Sequence, residues 1–334
     1  MQTIFFETSK EDQEKYRKLM PENNITFYEE KLTLENISLA KEADIISIFI
    51  NSEIKKEILD ALPTLKHIVT RSTGTDHIDK NYCQEKNISV SNVPAYGSVT
   101  VAEFTFGLIL NLSRNIFKAT DQIKQTNHFN IFNLKGFDLK GKTIGVVGTG
   151  RIGKNVIKIA NGFDMNVVAY DLYKDEKYAE ENNFKYVTFE DIISKSDIIT
   201  LHTPYTKENH HLINNDVISK MKKGVYIINT ARGELIDTSA LLEGIQNGTI
   251  KGVGLDVLEG ERMLKEEIEI TKNGNIHTVD YKTLLEDHIL INIPEVIITP
   301  HIAFYSEEAE SEIIHTTVKN ITDFENGSTE NLIK

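Results

Sequence analysis

The sequence predicts an α/β protein made of two doubly wound parallel-sheet domains, and three observations carry that expectation. Its 334 residues exceed one ordinary core, which holds about 100–200 residues. Short β-branched runs alternate with charged amphipathic stretches along nearly the whole chain, the pattern of βαβ units rather than of a sandwich or bundle. A glycine-rich turn at residues 148–153 joins one apolar run to the next amphipathic stretch.

In the first part, residues 3–7, 25–29, 45–50, 67–70 and 88–92 read as strands, with helical patterns between them at 11–19 and 53–61. A long helix is expected over 99–117, capped by Ser98 or Thr100, followed by a polar segment at 118–132. A second sheet begins at 142–147 and continues at 166–170, 198–201, 224–229, 251–256 and 296–299. Residues 307–324 read as a last helix. The residues beyond 301 are too few for a domain, so they are expected to return to the first sheet. The boundaries are then 1–99 with 302–334 for a discontinuous substrate domain and 100–301 for a nucleotide-binding domain. This layout puts the active site in a cleft.

Composition narrows the function. The 40% hydrophobic content is that of a globular protein, and the longest apolar runs fall far short of the ~20 residues that span a bilayer. Residues 1–10 do not read as a leader, and one cysteine, Cys83, makes no internal disulfide; a reducing cytoplasm is expected. A formal net charge of −13 argues against nucleic acid or an anionic membrane as partner. It also means that a site for an anionic substrate must carry its own positive charge.

The segment 143–156 (TIGVVGTGRIGKNV) carries the strongest local signal. Gly148 permits a tight turn, Gly150 lets a pyrophosphate approach the backbone, and Gly153 lets helix and strand pack closely. The phosphates would rest on the amides that open the helix, at Arg151 and Ile152. Asp171 lies eighteen residues beyond Gly153 at the end of the next strand, where a carboxylate accepts from the adenosine ribose and repels a 2′-phosphate. NAD is therefore expected over NADP.

Three polar residues stand just past carboxyl ends of strands. Arg232 follows 225–229, Glu261 comes five residues after Asp256, and His301 follows 296–300. Oxidising a hydroxy acid needs a cation for the carboxylate, an acid/base for the hydroxyl proton and an acceptor for the hydride. Arg232 suits the first task, since its planar fork matches a carboxylate. His301 suits the second, and Glu261 would fix its tautomer. No metal site is expected; His210 and His211 are adjacent, so their side chains should diverge, and the sequence offers no further ligand cluster.

The sequence resembles the D-isomer-specific 2-hydroxyacid dehydrogenases from about residue 40 to 325. The motifs are 71–79 (RSTGTDHID), 93–96 (VPAY), 101–103 (VAE), 147–153 (VGTGRIG), 201–204 (LHTP), 228–233 (INTARG), 254–257 (GLDV) and 299–303 (TPHIA). The resemblance implies a flavodoxin-like substrate domain, a Rossmann-like NAD domain, a homodimer formed through the latter, and Arg232, Glu261 and His301 as the catalytic set. It further implies that Thr73 and Gly74 meet the substrate carboxylate and that Tyr96 and Phe304 line the substrate. Thr203 and Pro204 would flank the adenine, Thr230 and Ala231 would contact the cofactor, and Asp256 would face the nicotinamide amide.

Within the family the D-lactate branch is the closer match, through 256–261, a long polar insertion up to His288, and 300–305. Pyruvate and D-lactate are the expected substrate pair. Two departures stand out. Asn51 occupies a position where D-lactate enzymes often carry an aromatic, and Glu103-Phe104 replaces a common Glu-His. The alternatives are a dehydrogenase for a branched-chain hydroxy acid, glycerate or 3-phosphoglycerate, and, from another class, an NADH-sensing binding protein. A phosphorylated substrate would call for more basic residues than Arg71, Lys55 and Lys56 in the first domain.

Overall fold

A computed structural model describes residues 1–261, 263–264, 281–328 and 330–333. They form two compact units, Met1–Tyr96 with Tyr305–Lys334, and Gly97–Phe304. Most of the long polar insertion after Glu261 lies outside the described residues; its end forms a helix, Tyr281–Ile291.

The first unit is a parallel sheet of β1 (Gln2–Phe5), β2 (Asn24–Phe27), β3 (Ile45–Ile48), β4 (His67–Thr70) and β5 (Ser89–Ser91) in the order β2-β1-β3-β4-β5. That order is the flavodoxin-like winding. β3 and β4 are buried at every position, as expected of β-branched strands covered on both faces. One face packs Ile46, Ile48, Ile68 and Val90 against Ile58, Leu59 and Cys83. The other packs Phe5, Tyr16, Ile45 and Val69 against Ile314 and Ile321 of the C-terminal helix Glu307–Glu325. The chain end thus completes this unit's core, and the Asn320 amide donates to the Asn92 carbonyl at 2.9 Å.

The second unit is an all-parallel sheet of β6 (Thr143–Val147), β7 (Asn166–Tyr170), β8 (Lys185–Tyr186), β9 (Ile198–Leu201), β10 (Val225–Asn229), β11 (Ile250–Leu255) and β12 (Val296–Ile298). Its order, β12-β11-β10-β9-β6-β7-β8, reverses direction between β6 and β9. In open α/β sheets such a switch point opens the crevice where ligands bind. β8 is absent from the sequence expectation; two residues are too few for a periodicity signal.

The expected single helix over 99–117 is two helices, Ser98–Arg114 and Ile116–Thr126. They break at Asn115, which is left-handed at φ +52° and donates its amide to the Leu134 and Lys135 carbonyls at 3.4 and 3.3 Å. Neither Ser98 nor Thr100 caps the first helix. Gly97 does, without a side-chain bond.

Candidate active site

The dinucleotide turn is built at the switch point. Gly148 has φ +94°, and a Cβ there would lie 2.6 Å from the His202 carbonyl oxygen. A Cβ on Gly153 would lie 2.0 Å from the Gly148 carbonyl oxygen, so the helix Arg151–Gly162 meets the strand end only because that side chain is missing. A Cβ on Gly150 would meet nothing within 4 Å, and Gly150 caps the helix without a side-chain bond. Open space thus faces the amide-rich helix start, the cradle a pyrophosphate requires. Arg151 is exposed and Ile152 half-buried at that start.

Asp171 ends β7 beside this turn. One carboxylate oxygen accepts from the Thr149 amide at 2.6 Å and hydroxyl at 2.9 Å; the other accepts from the Tyr173 amide at 2.9 Å. Asp171 therefore ties down the glycine turn as well as presenting negative charge there. Among Thr203, Pro204, Thr230 and Ala231, Thr230 is buried and shares a 3.1 Å hydrogen bond with Thr105. His202 bonds the Thr200 hydroxyl at 2.8 Å through Nε2, and burial pushes its pKa down to about 3. It is a neutral packing residue.

Past the strand ends on the other side of the sheet, β10 leads into Arg232. The Asn229 amide donates to the Arg232 carbonyl at 2.7 Å, and the Asn229 side-chain oxygen accepts from the Ala231 amide at 3.0 Å. A Cβ on Gly233 would lie 2.1 Å from the Leu258 carbonyl, so this turn packs directly on the segment after β11. His301 Nδ1 lies 2.9 and 3.0 Å from the two Glu261 carboxylate oxygens. The pair is part-exposed, with side-chain exposures of 27% and 25%. His301 is left-handed at φ +57°, a conformation uncommon outside glycine and enriched where structure over-determines function.

That conformation is held by Asp256. Its carboxylate accepts from the Thr299 hydroxyl at 2.5 Å and from the Ile302 and Ala303 amides at 3.0 and 2.8 Å. The buried side chain is turned to the loop bearing His301, and its pKa is raised by burial. Asn229 and Thr299 lie within quoted motifs, but their bracing roles, like that of Asp287, do not stand out in the sequence. Asp287 is buried, accepts from the Gly260 amide at 3.0 Å and has its pKa pushed up to about 6 by burial. Only a strand-end Asn or a mid-helix Asp marks such residues, and neither is distinctive.

His210 and His211 also depart from expectation. Their rings do not diverge but stack, with centroids 3.8 Å apart, because His211 is left-handed at φ +52°.

In the first unit, the Thr73 hydroxyl donates to the Val93 carbonyl at 2.8 Å, and the Gly74 carbonyl accepts from Ser72 at 2.6 Å, fixing the 72–74 turn. Tyr96 is half-buried; Phe304, half-buried in the second unit, lies 3.7 Å from where a Gly97 Cβ would be. Arg71 is buried, its guanidinium donating to Ser47 at 3.0 Å and to the Phe6 and Glu7 carbonyls at 2.7 and 2.6 Å.

The model of the D-isomer specific 2-hydroxyacid dehydrogenase NAD-binding domain matches residues 106–303. The chain belongs to that family. It is 40% identical over 86% of its length, and 84% of the relative's, to an aromatic 2-oxoacid reductase of Clostridium sporogenes. It is 36% identical to the D-lactate dehydrogenase of Escherichia coli, over 91% of this chain and 90% of that one. The D-lactate dehydrogenase of Aquifex aeolicus, solved with NAD and lactic acid, superposes with a TM-score of 0.89 at 37% identity, covering 99% and 98% of the two chains. The protein is an NAD-dependent D-2-hydroxyacid dehydrogenase.

Proposed function

We propose that this dehydrogenase reduces pyruvate to D-lactate, reversibly, with Arg232, Glu261 and His301 as its catalytic residues. The observation that carries the catalytic assignment is the His301–Glu261 pair. With Nδ1 engaged by the carboxylate, Nε2 is the nitrogen left to exchange a proton with the substrate oxygen. In reduction, Nε2–H protonates the carbonyl oxygen; in oxidation the neutral nitrogen takes the hydroxyl proton. Arg232 grips the substrate carboxylate and polarises the carbonyl, supplying the positive charge that a chain of net charge −13 otherwise lacks for an anion. NAD supplies or accepts the hydride. Gly148, Gly150, Gly153 and Asp171 hold the cofactor, with Arg151, Ile152, Thr203, Pro204, Thr230 and Ala231 around it. Thr73, Gly74, Tyr96 and Phe304 contact the substrate, and Asp256 faces the nicotinamide amide as well as positioning the loop of His301.

Pyruvate is favoured by the likeness to D-lactate dehydrogenases. A phosphorylated acid is disfavoured, since the Arg71 guanidinium is spent on backbone carbonyls and Lys55 donates to the Asp76 carbonyl at 3.3 Å. The second reading is a bulkier 2-oxo acid, aromatic or branched. Asn51 favours it: its amide donates to Glu7 at 2.9 Å, leaving no aromatic ring at that position. A binding protein that merely senses NADH has no use for the His301–Glu261 pair.

We further infer a homodimer formed through the NAD-binding unit, in a reducing cytoplasm. Segment 116–132 supports the dimer, exposing Phe117, Ile131, Phe132 and Phe129, the last at 93%.

The test is kcat/KM with NADH for pyruvate, 2-oxobutyrate, 2-oxoisocaproate, phenylpyruvate and phosphohydroxypyruvate. Pyruvate should lead, with its homologues within roughly 10–200-fold, because a methylene is worth only ~1–3 kcal/mol. If a bulky acid leads and Asn51→Tyr reverses the order, the enzyme is not a lactate dehydrogenase.

A further inference from the structure

The His210–His211 pair has a third member. His211 Nε2 lies 2.6 Å from a Glu259 carboxylate oxygen, and one ligand atom from each of His210, His211 and Glu259 falls within 4.8 Å of the others. The three come from different stretches of chain: the turn after β9 and the segment after β11. We propose that they bind a divalent transition-metal ion of the Zn2+ type, at a site separate from the catalytic His301–Glu261 pair.

Two imidazoles and a carboxylate are the donor set that Zn2+ takes at 2.0–2.2 Å. Tetrahedral bonds of that length put ligand atoms about 3.3 Å apart. Here the tightest pair must open by less than an ångström, and the widest must close by at most about one and a half. The exposed ring of His210 can make that adjustment by rotating about its side-chain bonds.

The surroundings orient the ligands as metal sites require. The second Glu259 oxygen accepts from the Thr238 hydroxyl at 3.0 Å, leaving the first directed at His211. His211 Nδ1 lies 3.8 Å from the Asp237 carboxylate, beyond hydrogen-bond reach, so this side of the ring faces a negative charge but no direct partner there. His210 Nδ1 lies 3.4 Å from the Tyr205 hydroxyl, which leaves its Nε2 as the ligand. His211 reaches this place through a left-handed backbone at φ +52°. A structural Glu259–His211 ion pair would account for two of the three residues, but not for His210 stacked against them. Glu259 lies two residues before Glu261, so the ion would pin the segment that carries the catalytic carboxylate.

The test is Zn2+ binding to the full-length protein by competition with a chromogenic chelator, with Co2+ visible absorption as a coordination readout. One ion per chain is expected, with tetrahedral Co2+ bands. His210→Ala and Glu259→Gln should each weaken binding at least ten-fold, whereas His301→Ala should leave it unchanged. His210→Ala removes an exposed ring, and its thermal midpoint without metal should match the wild type, which separates lost ligation from lost folding. Binding that survives His210→Ala, binding abolished by His301→Ala, or no binding below about millimolar Zn2+ overturns the proposal.

Discussion

His67 and His301 belong to different units, and each has its ring nitrogens or backbone held by neighbours, yet they are held in opposite ways. His67 lies at the start of β4 with no exposed surface, its Nδ1 and Nε2 at 2.7 and 2.9 Å from the Ser89 and Ser91 hydroxyls. Its ring stacks on Phe324, centroids 4.3 Å apart. Burial pushes its pKa down to about 4, so it is a neutral structural part joining the C-terminal helix to the sheet. His301 stands beyond β12, part-exposed, with one nitrogen on a carboxylate. The same division runs through both units. In the first, Arg71 is spent on backbone carbonyls, and the Glu7 carboxylate accepts from the Phe49, Asn51 and Ser52 amides at 3.0, 2.9 and 3.1 Å. In the second, Asp256 and Asn229 do such bracing, and what they brace is His301 and Arg232. A polar residue at a strand end thus signals function only when its own partners leave a reactive atom over.

The strongest way to break this comparison is to remove the proposed proton carrier. His301→Ala should lower kcat for 2-oxo acid reduction by about 10²–10⁴-fold, the range for a lost general acid. NADH affinity, measured by fluorescence titration, should stay within a few-fold, because the proposed cofactor cradle is at Gly148–Gly153 and the two are separate structures. Retained turnover would mean that another group carries the proton.

Much of this is legible in the sequence, for reasons that particular residues show. β4, β7 and β9 fall where the β-branched runs place them, because strands that bury most of their residues are rich in such side chains. The His301–Glu261 contact is foreseeable from two strand ends. The conformations of Asn115 and His211 and the partners of Asp256 are not. A left-handed residue is decided by acceptors far along the chain, such as the Leu134 carbonyl for Asn115. Asp256 ends a strand as Asp171 does, and nothing local says that one turns to the His301 loop and the other to the glycine turn.

His67 sharpens the comparison in stability rather than rate. Its pKa is depressed from 6.5 to about 4 in the folded chain. As pH falls below about 6.5 the unfolded chain gains a proton that the folded chain refuses until about 4, so stability is lost across that window as pH drops. The loss is on the order of 3 kcal/mol at most. Thermal midpoints measured from pH 7 to 4 should therefore fall more steeply for the wild type than for His67→Gln. Parallel curves would show that His67 is not buried neutral, and the contrast with His301 would collapse.

The smallest effect tests what Glu261 does. If it only aims the ring, Glu261→Gln should lower kcat at every pH alike, since a side-chain amide can keep one hydrogen bond to Nδ1. If its charge also favours the imidazolium, the pH limb above which pyruvate reduction fails should move downward, because a neutral partner stabilises a cation less. The pair is about a quarter exposed, so solvent weakens that charge effect. The variant's pyruvate reduction should thus fail at a lower pH than the wild type's, with the plateau at low pH lowered only a few-fold. A profile that overlays the wild type would leave Glu261 as neither aim nor charge, and His301 would then be poised by its loop and Asp256 alone.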